Sequence, residues 1–219
     1  AAGLAVTARL TYLEKDPDST KKVVFTVAVI ALSAKMAKAD GIVTRDEISA
    51  FRRHVDISPS EASQVGRFWD LARQTKNGYQ EYARQVAQLF EPRAPVLEQL
   101  LDLLFHIAKS DGKITPAELE YLANVSDIFG FDEADFYRFQ GFHETGSLSP
   151  FEVLGVSEKI NDNELKIAWK NLARKHHPDT LTASGMPEEF VSAANERLAK
   201  INAAYDFIVR RRRQQNITR

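Results

Sequence analysis

The sequence predicts an all-α protein: an N-terminal helical bundle built on two related helix hairpins, followed by a C-terminal antiparallel helix pair. Three observations predict it. Apolar residues recur at spacings of three and four through most of the chain, and no run alternates with the period of a strand. Helix-starting caps and helix-stopping Asp-Gly or Pro signals bound these runs. Residues 37–48 also recur at 108–119 as Lys-x-Asp-Gly-x-(Val/Ile)-Thr-x-x-Glu, which predicts an internal duplication.

Residues 1–22 read as an N-terminal extension. The chain opens at Ala1 without an initiator methionine, so Ala1 to Val6 is compatible with the remnant of an upstream anchor or signal. The most apolar run, 23–32, is followed by Ser33 and Lys35 and falls short of the roughly 20 residues that span hydrocarbon. A buried core helix is expected there. Asp40-Gly41 ends it, and Thr44-x-x-Glu47 starts the next helix as a capping box. Ser58-Pro59-Ser60-Glu61 caps a further helix carrying Val65, Phe68 and Leu71, and 79–90 supplies another amphipathic pattern. The second hairpin repeats the first: an apolar run, Asp111-Gly112, then Thr115-x-x-Glu118. A short helix is expected over 131–139. Residues 140–148, with Gly141, Thr145, Gly146 and Ser147, read as a linker.

Beyond the linker, Ser149-Pro150-Phe151-Glu152 starts a short helix carrying Val153 and Leu154, closed by Gly155. Asn161-Asp162-Asn163-Glu164 reads as a capping box. Down the helix it starts, Leu165, Ala168, Trp169, Leu172 and His176 form one stripe, while Lys166, Lys170 and Arg174 form a cationic row well away from it. Pro178 lacks an amide hydrogen and disfavours α geometry at His177, so the helix stops near His176 and His177-Pro178-Asp179 is expected as a loop. Small and polar residues follow over 180–185. Pro187 suits a first helical position, and Phe190, Ala194, Leu198, Ile201, Tyr205 and Ile208 mark a second long amphipathic helix returning beside the first.

These motifs, in this order, make 148–213 resemble a J domain, the DnaK-binding module of DnaJ-type co-chaperones. The resemblance rests on Pro-Phe-x-Val-Leu-Gly-Val, Leu-x-x-Ala-Trp-x-x-Leu-Ala, His-Pro-Asp and Ile-Asn-x-Ala-Tyr. Asn171 stands where a basic residue is frequent, and Thr180 where lysine is common. The twin Asp-Gly motifs make 23–139 look like a TerB-type helical domain, and the combination, including the insert 181–190, is similar to the DjlA-like co-chaperones. The expected organisation is therefore 1–22 extension, 23–139 TerB-like domain, 140–148 linker, 149–213 J domain and 214–219 tail.

The resemblance implies a DnaK-type chaperone as partner, docked by His177, Pro178 and Asp179 with Lys166, Lys170 and Arg174, and stimulated in its ATP hydrolysis. The TerB-like domain then recruits a client or a second partner. Asp179 suits charge-assisted hydrogen bonds from a partner arginine, and the cationic row suits steering toward an acidic surface. The implied location is cytoplasmic, at the cytoplasmic face of a membrane if an anchor precedes the chain.

Other classes fare worse. With 219 residues, a net charge of -1 and 44% hydrophobic content, the chain has room for two domains and no strong steering toward nucleic acid. The absence of cysteine excludes disulfides, thiolate zinc sites and cysteine nucleophiles. No phosphate-cradling glycine loop, nucleophile elbow or HExxH motif is present, so neither an enzyme nor a cofactor is expected. Arg210 to Arg213 are accounted for by cations favouring a helix carboxyl end.

No metal site is expected, and Asp40, Glu47, Asp111 and Glu118 are the candidate ligands only if the two hairpins pack back to back. Met36, Lys38, Ile107 and Lys109 occupy ligand places of a calcium-loop frame, which rejects an EF-hand. His54, His106, His143 and His176 show no paired ligand spacing, so core or surface roles are expected. The competing functional reading is a metal-responsive or membrane-associated stress scaffold acting through the TerB-like domain.

Overall fold

The computed structural model describes residues 17–39, 45–57, 62–75, 77–144 and 149–217. Among them no strand occurs, as the all-α reading expects. The expectations at Ala1 to Val6, at Asp40, Gly41 and Thr44, at the Ser58 to Glu61 cap, and at Thr145, Gly146 and Ser147 lie outside the described residues.

Two helices form the centre of the N-terminal bundle. Helix α1 (Pro17–Met36) has no interior glycine or proline, and its second half is buried on every side, from Ala28 to Met36. Such a helix cannot be amphipathic; it must be wrapped by others. Helix α2 (Arg45–His54) follows, and α3 (Ala62–Ala72) and α4 (Tyr79–Ala87) supply part of the wrapping by packing on α1. On α3 the buried positions are Trp69 and Ala72, whereas Leu71, expected among its core residues, is half exposed. Lys35 is the exception inside α1. Its buried ammonium donates to the carbonyls of Thr75 (3.0 Å) and Asn77 (2.8 Å), so the charge is solvated by a loop, and burial still lowers its pKa.

The second central helix, α5 (Pro95–Ala108), buries Leu97, Leu101, Leu104, Phe105 and Ile107. Around it lie α2, α6 (Pro116–Ile128) and α7 (Glu133–Glu144). The second hairpin closes as expected. Thr115 accepts from the Glu118 amide, and the Glu118 carboxylate accepts from the Thr115 amide at 2.7 Å. Tyr121 ties α6 to α1 by donating to the Leu32 carbonyl at 2.9 Å. Helix α7 runs to Glu144, so the residues 140–144 of the expected linker are helical.

The C-terminal helices are α8 (Pro150–Val153), α9 (Asp162–Lys175), α10 (Pro178–Ala183), a 3-10 turn (Glu188–Phe190) and α11 (Val191–Ile217). Ser149 and Glu152 form a full capping box, Asn161 accepts from the Glu164 amide, and Gly155 takes φ 65° after α8. Helices α9 and α11 pack around Leu154, Leu165, Ile201, Ala204 and Ile208. Trp169 stacks on Tyr205 at 4.3 Å and donates to Asn202 at 2.9 Å, while Asp162 at the start of α9 meets Arg212 near the end of α11. These pairings make the two helices antiparallel.

The insert is where the structure adds most. Leu181, Met186, Phe190 and Ala194 are buried in the core of the N-terminal bundle rather than in the small C-terminal core. Phe190 meets Phe25 edge-on at 5.3 Å, and the Asp56 amide donates to the Glu189 carbonyl at 2.8 Å. Pro187 is the cap preceding the 3-10 turn, one position before the first helical residue expected of it.

Candidate functional site

The His-Pro-Asp tripeptide is not the plain loop that its sequence suggests. His177 is the N-cap of α10, and Pro178 and Asp179 are its first two residues. The reason is local. Proline disfavours α geometry only at the residue before it, where His177 is extended (φ -67°, ψ 133°), and Pro178 itself suits a first helical position. The His177 Nδ1 accepts from the Asp179 amide at 3.2 Å, which holds the ring across the start of the turn. Pro178 is buried and anchors the corner.

Asp179 is presented outward, with its side chain 92% exposed and its Oδ2 3.7 Å from the His177 Nδ1. Lys166, Lys170 and Arg174 are all exposed on α9, so the expected row faces solvent and not the N-terminal bundle. Asn171 and Thr180, the two departures from the usual pattern, are exposed as well.

Asp179 also borders an open depression of about 870 Å³ that it shares with Asp56, Glu188 and Glu189. Four carboxylates around one concavity focus a negative potential there, which favours a cationic visitor over an acidic one. Sequence reasoning could not pair Asp56 with this site, because the contact exists only through the docking of the insert on α2.

A second set of polar residues lies beneath the site and was not anticipated. Glu98 and Asp102 on α5 are buried, and Arg197 of α11 pairs with both, reaching Asp102 at 3.2 Å. Lys175 meets Glu98 at 3.1 Å, and His143 meets Asp102 at 2.7 Å. Burial alone would raise the Glu98 pKa, but Arg197, His176 and Lys175 outweigh it and hold the group to about 2. Burial and Arg197 push His176 down to about 3, so that ring is neutral at pH 7, and Arg197 and Lys175 supply the positive charge. His176, expected on the core stripe of α9, is fully buried with its Nε2 3.7 Å from Glu98. The available signal was the acidic pair at i, i+4 inside the apolar run of α5, since buried carboxylates require buried cations.

Neither of the two groupings of three metal-ligating side chains among the described residues includes the acidic metal candidates. Glu118 closes the Thr115 cap, Asp111 is exposed in its turn, Glu47 is buried on α2, and Asp40 lies outside the described residues.

Two comparisons bear on this architecture. The family described as Tellurite resistance protein TerB matches residues 26–140. The chain belongs to the TerB family. C-terminal to this TerB domain, the DnaJ domain matches residues 149–216. The whole arrangement is similar to the Co-chaperone protein DjlA of Photobacterium profundum, 29% identical over 84% of this chain and 76% of that protein. The Co-chaperone protein DjlA of Aliivibrio fischeri is 27% identical, over 83% of this chain and 76% of that protein. That of Haemophilus ducreyi is 24% identical over 86% and 79%. No solved structure matches the chain. No helix among the described residues of the TerB and DnaJ domains is long and apolar enough to cross a membrane.

Proposed function

We propose that this chain is a co-chaperone whose DnaJ domain docks on a DnaK-type chaperone and stimulates its ATP hydrolysis, while the TerB domain recruits a client or partner. The observation that carries the reading is the outward-facing Asp179 at a capped, proline-anchored corner, with Lys166, Lys170 and Arg174 exposed on the preceding helix.

The roles follow from chemistry. An exposed carboxylate accepts charge-assisted hydrogen bonds from an arginine of the visitor, and the neighbouring Asp56, Glu188 and Glu189 add to the attraction for a cation. The lysine row on α9 faces a different direction of charge and suits an acidic surface of the same visitor, raising the encounter rate. Docking accelerates hydrolysis only by favouring the partner's catalytic conformation over its resting one, since equal affinity for both shifts nothing. The chemistry therefore belongs to the partner.

Single-turnover hydrolysis by a purified DnaK-type chaperone, with and without this chain, tests the reading. Stimulation by the unaltered chain and its loss in Asp179→Asn and His177→Gln are the expected results. Normal stimulation by both variants would remove the roles assigned to these residues.

A further inference from the structure

Three histidines distant in the sequence meet where α11 crosses the TerB domain. His54 ends α2, His106 lies on α5 and His143 on α7. The His54 and His106 rings are 4.9 Å apart, and those of His106 and His143 are 4.6 Å apart. Glu196, from the DnaJ side, places Oε2 3.6 Å from the His54 Nδ1. One ligand atom from each of His54, His106 and Glu196 lies within 4.8 Å of the other two. Asp102, His106 and His143 form a second grouping of the same kind.

The two groupings are not equivalent. Asp102 is already held by Arg197 at 3.2 Å and by His143 at 2.7 Å, and both Asp102 and His143 are almost wholly buried. An ion entering there would have to break a buried charge network. Glu196, by contrast, has a side chain 53% exposed, which gives the first grouping both an entry path and a mobile ligand.

The state of the rings also suits ligation. The His106 Nδ1 lies 2.8 Å from the Asp102 carbonyl, a contact that requires Nδ1 to carry the proton and donate. Nε2 is left with the lone pair, and a backbone carbonyl behind an imidazole is a common support for a metal ligand.

We propose that His54, His106 and Glu196 bind a divalent transition-metal ion of the zinc class and so clasp the TerB domain to the first turns of α11. Two imidazoles and one carboxylate, with a fourth position open to solvent, fit zinc's preferred donors, whereas calcium and magnesium require more oxygen ligands. Bonds of about 2.1 Å around a tetrahedral ion put ligand atoms about 3.4 Å apart, so the set must contract on binding, by a rotamer change that the exposed Glu196 permits. Lys200 opposes the ion. Its ammonium lies 3.4 Å from the His106 Nε2 and must swing aside on its flexible stem. The clasp does not depend on docking by Asp179.

The test is calorimetric titration of the chelator-treated full chain with zinc chloride, alongside calcium and magnesium chlorides. One zinc ion per chain is expected, with no uptake of the other two. Glu196→Gln and His106→Gln each weaken zinc affinity by about tenfold or more, and Lys200→Met strengthens it. Glu196 is at an exposed position, so its variant keeps the fold even where loss of His106 unsettles the core. Wild-type zinc affinity in both ligand variants, or no saturable zinc uptake by the unaltered chain, would overturn the site. Unchanged affinity in Lys200→Met would do the same for Nε2 as the ligand atom.

Discussion

At the scale of single residues, the corner to which docking is proposed separates binding from stability. The Asp179 side chain meets little but solvent, so Asp179→Asn is expected to leave thermal melting nearly unchanged while ATPase stimulation falls. Glu98 is the opposite case. Glu98→Ala leaves Lys175 without its carboxylate partner and Arg197 with Asp102 alone, and is expected to cost about 3–5 kcal/mol in urea unfolding. Its pH dependence has a definite sign. The folded pKa, about 2, lies below the ordinary 4.5, so the stabilisation is complete above about 4.5 and is lost as pH falls toward 2. Urea unfolding of the unaltered chain at pH 6 and pH 3 should show that loss, to which the lowered pKa of His176 adds, and Glu98→Gln should reduce it.

At the scale of elements, local chemistry accounts for most helix ends. The Thr115–Glu118 and Ser149–Glu152 boxes form in full where the sequence places them. Thr115→Ala removes an acceptor from the Glu118 amide and is expected to lower stability by about 1 kcal/mol, read as a shift of the urea midpoint without a change in slope. The corner at His177 shows where this kind of reading stops. Helix α9 ends where Pro178 demands, yet the six residues from Pro178 to Ala183 become a helix because their apolar side, Leu181 above all, finds a partner elsewhere in the molecule. A segment of small and polar residues carries no such signal on its own.

At the scale of the whole molecule, the insert joins two units that the sequence separates. Leu181, Met186 and Phe190 fill the core of the TerB domain, and they lie in the stretch that carries Asp179. The corner that carries Asp179 is therefore held in place by the first domain. Phe190→Ala is expected to cost about 3–5 kcal/mol. Hydrogen exchange should also quicken over 178–183, with weaker docking as the consequence. Exchange at those amides equal to that of the unaltered chain would detach the corner from the TerB core.

What the sequence by itself determined is the helical architecture, the order of the two domains and the exposed residues to which docking is proposed, because caps, proline and helical periodicity act over a few residues and are written locally. What only the tertiary structure decided is which distant side chains meet. Asp56 beside Asp179, Glu98 and Asp102 with Arg197, and His54 with His106 and Glu196 are all joined by the burial of the insert and the crossing of α11 over α5. Apolar burial that drives those contacts is non-directional, so it leaves no spacing rule in the chain from which the pairs could be read.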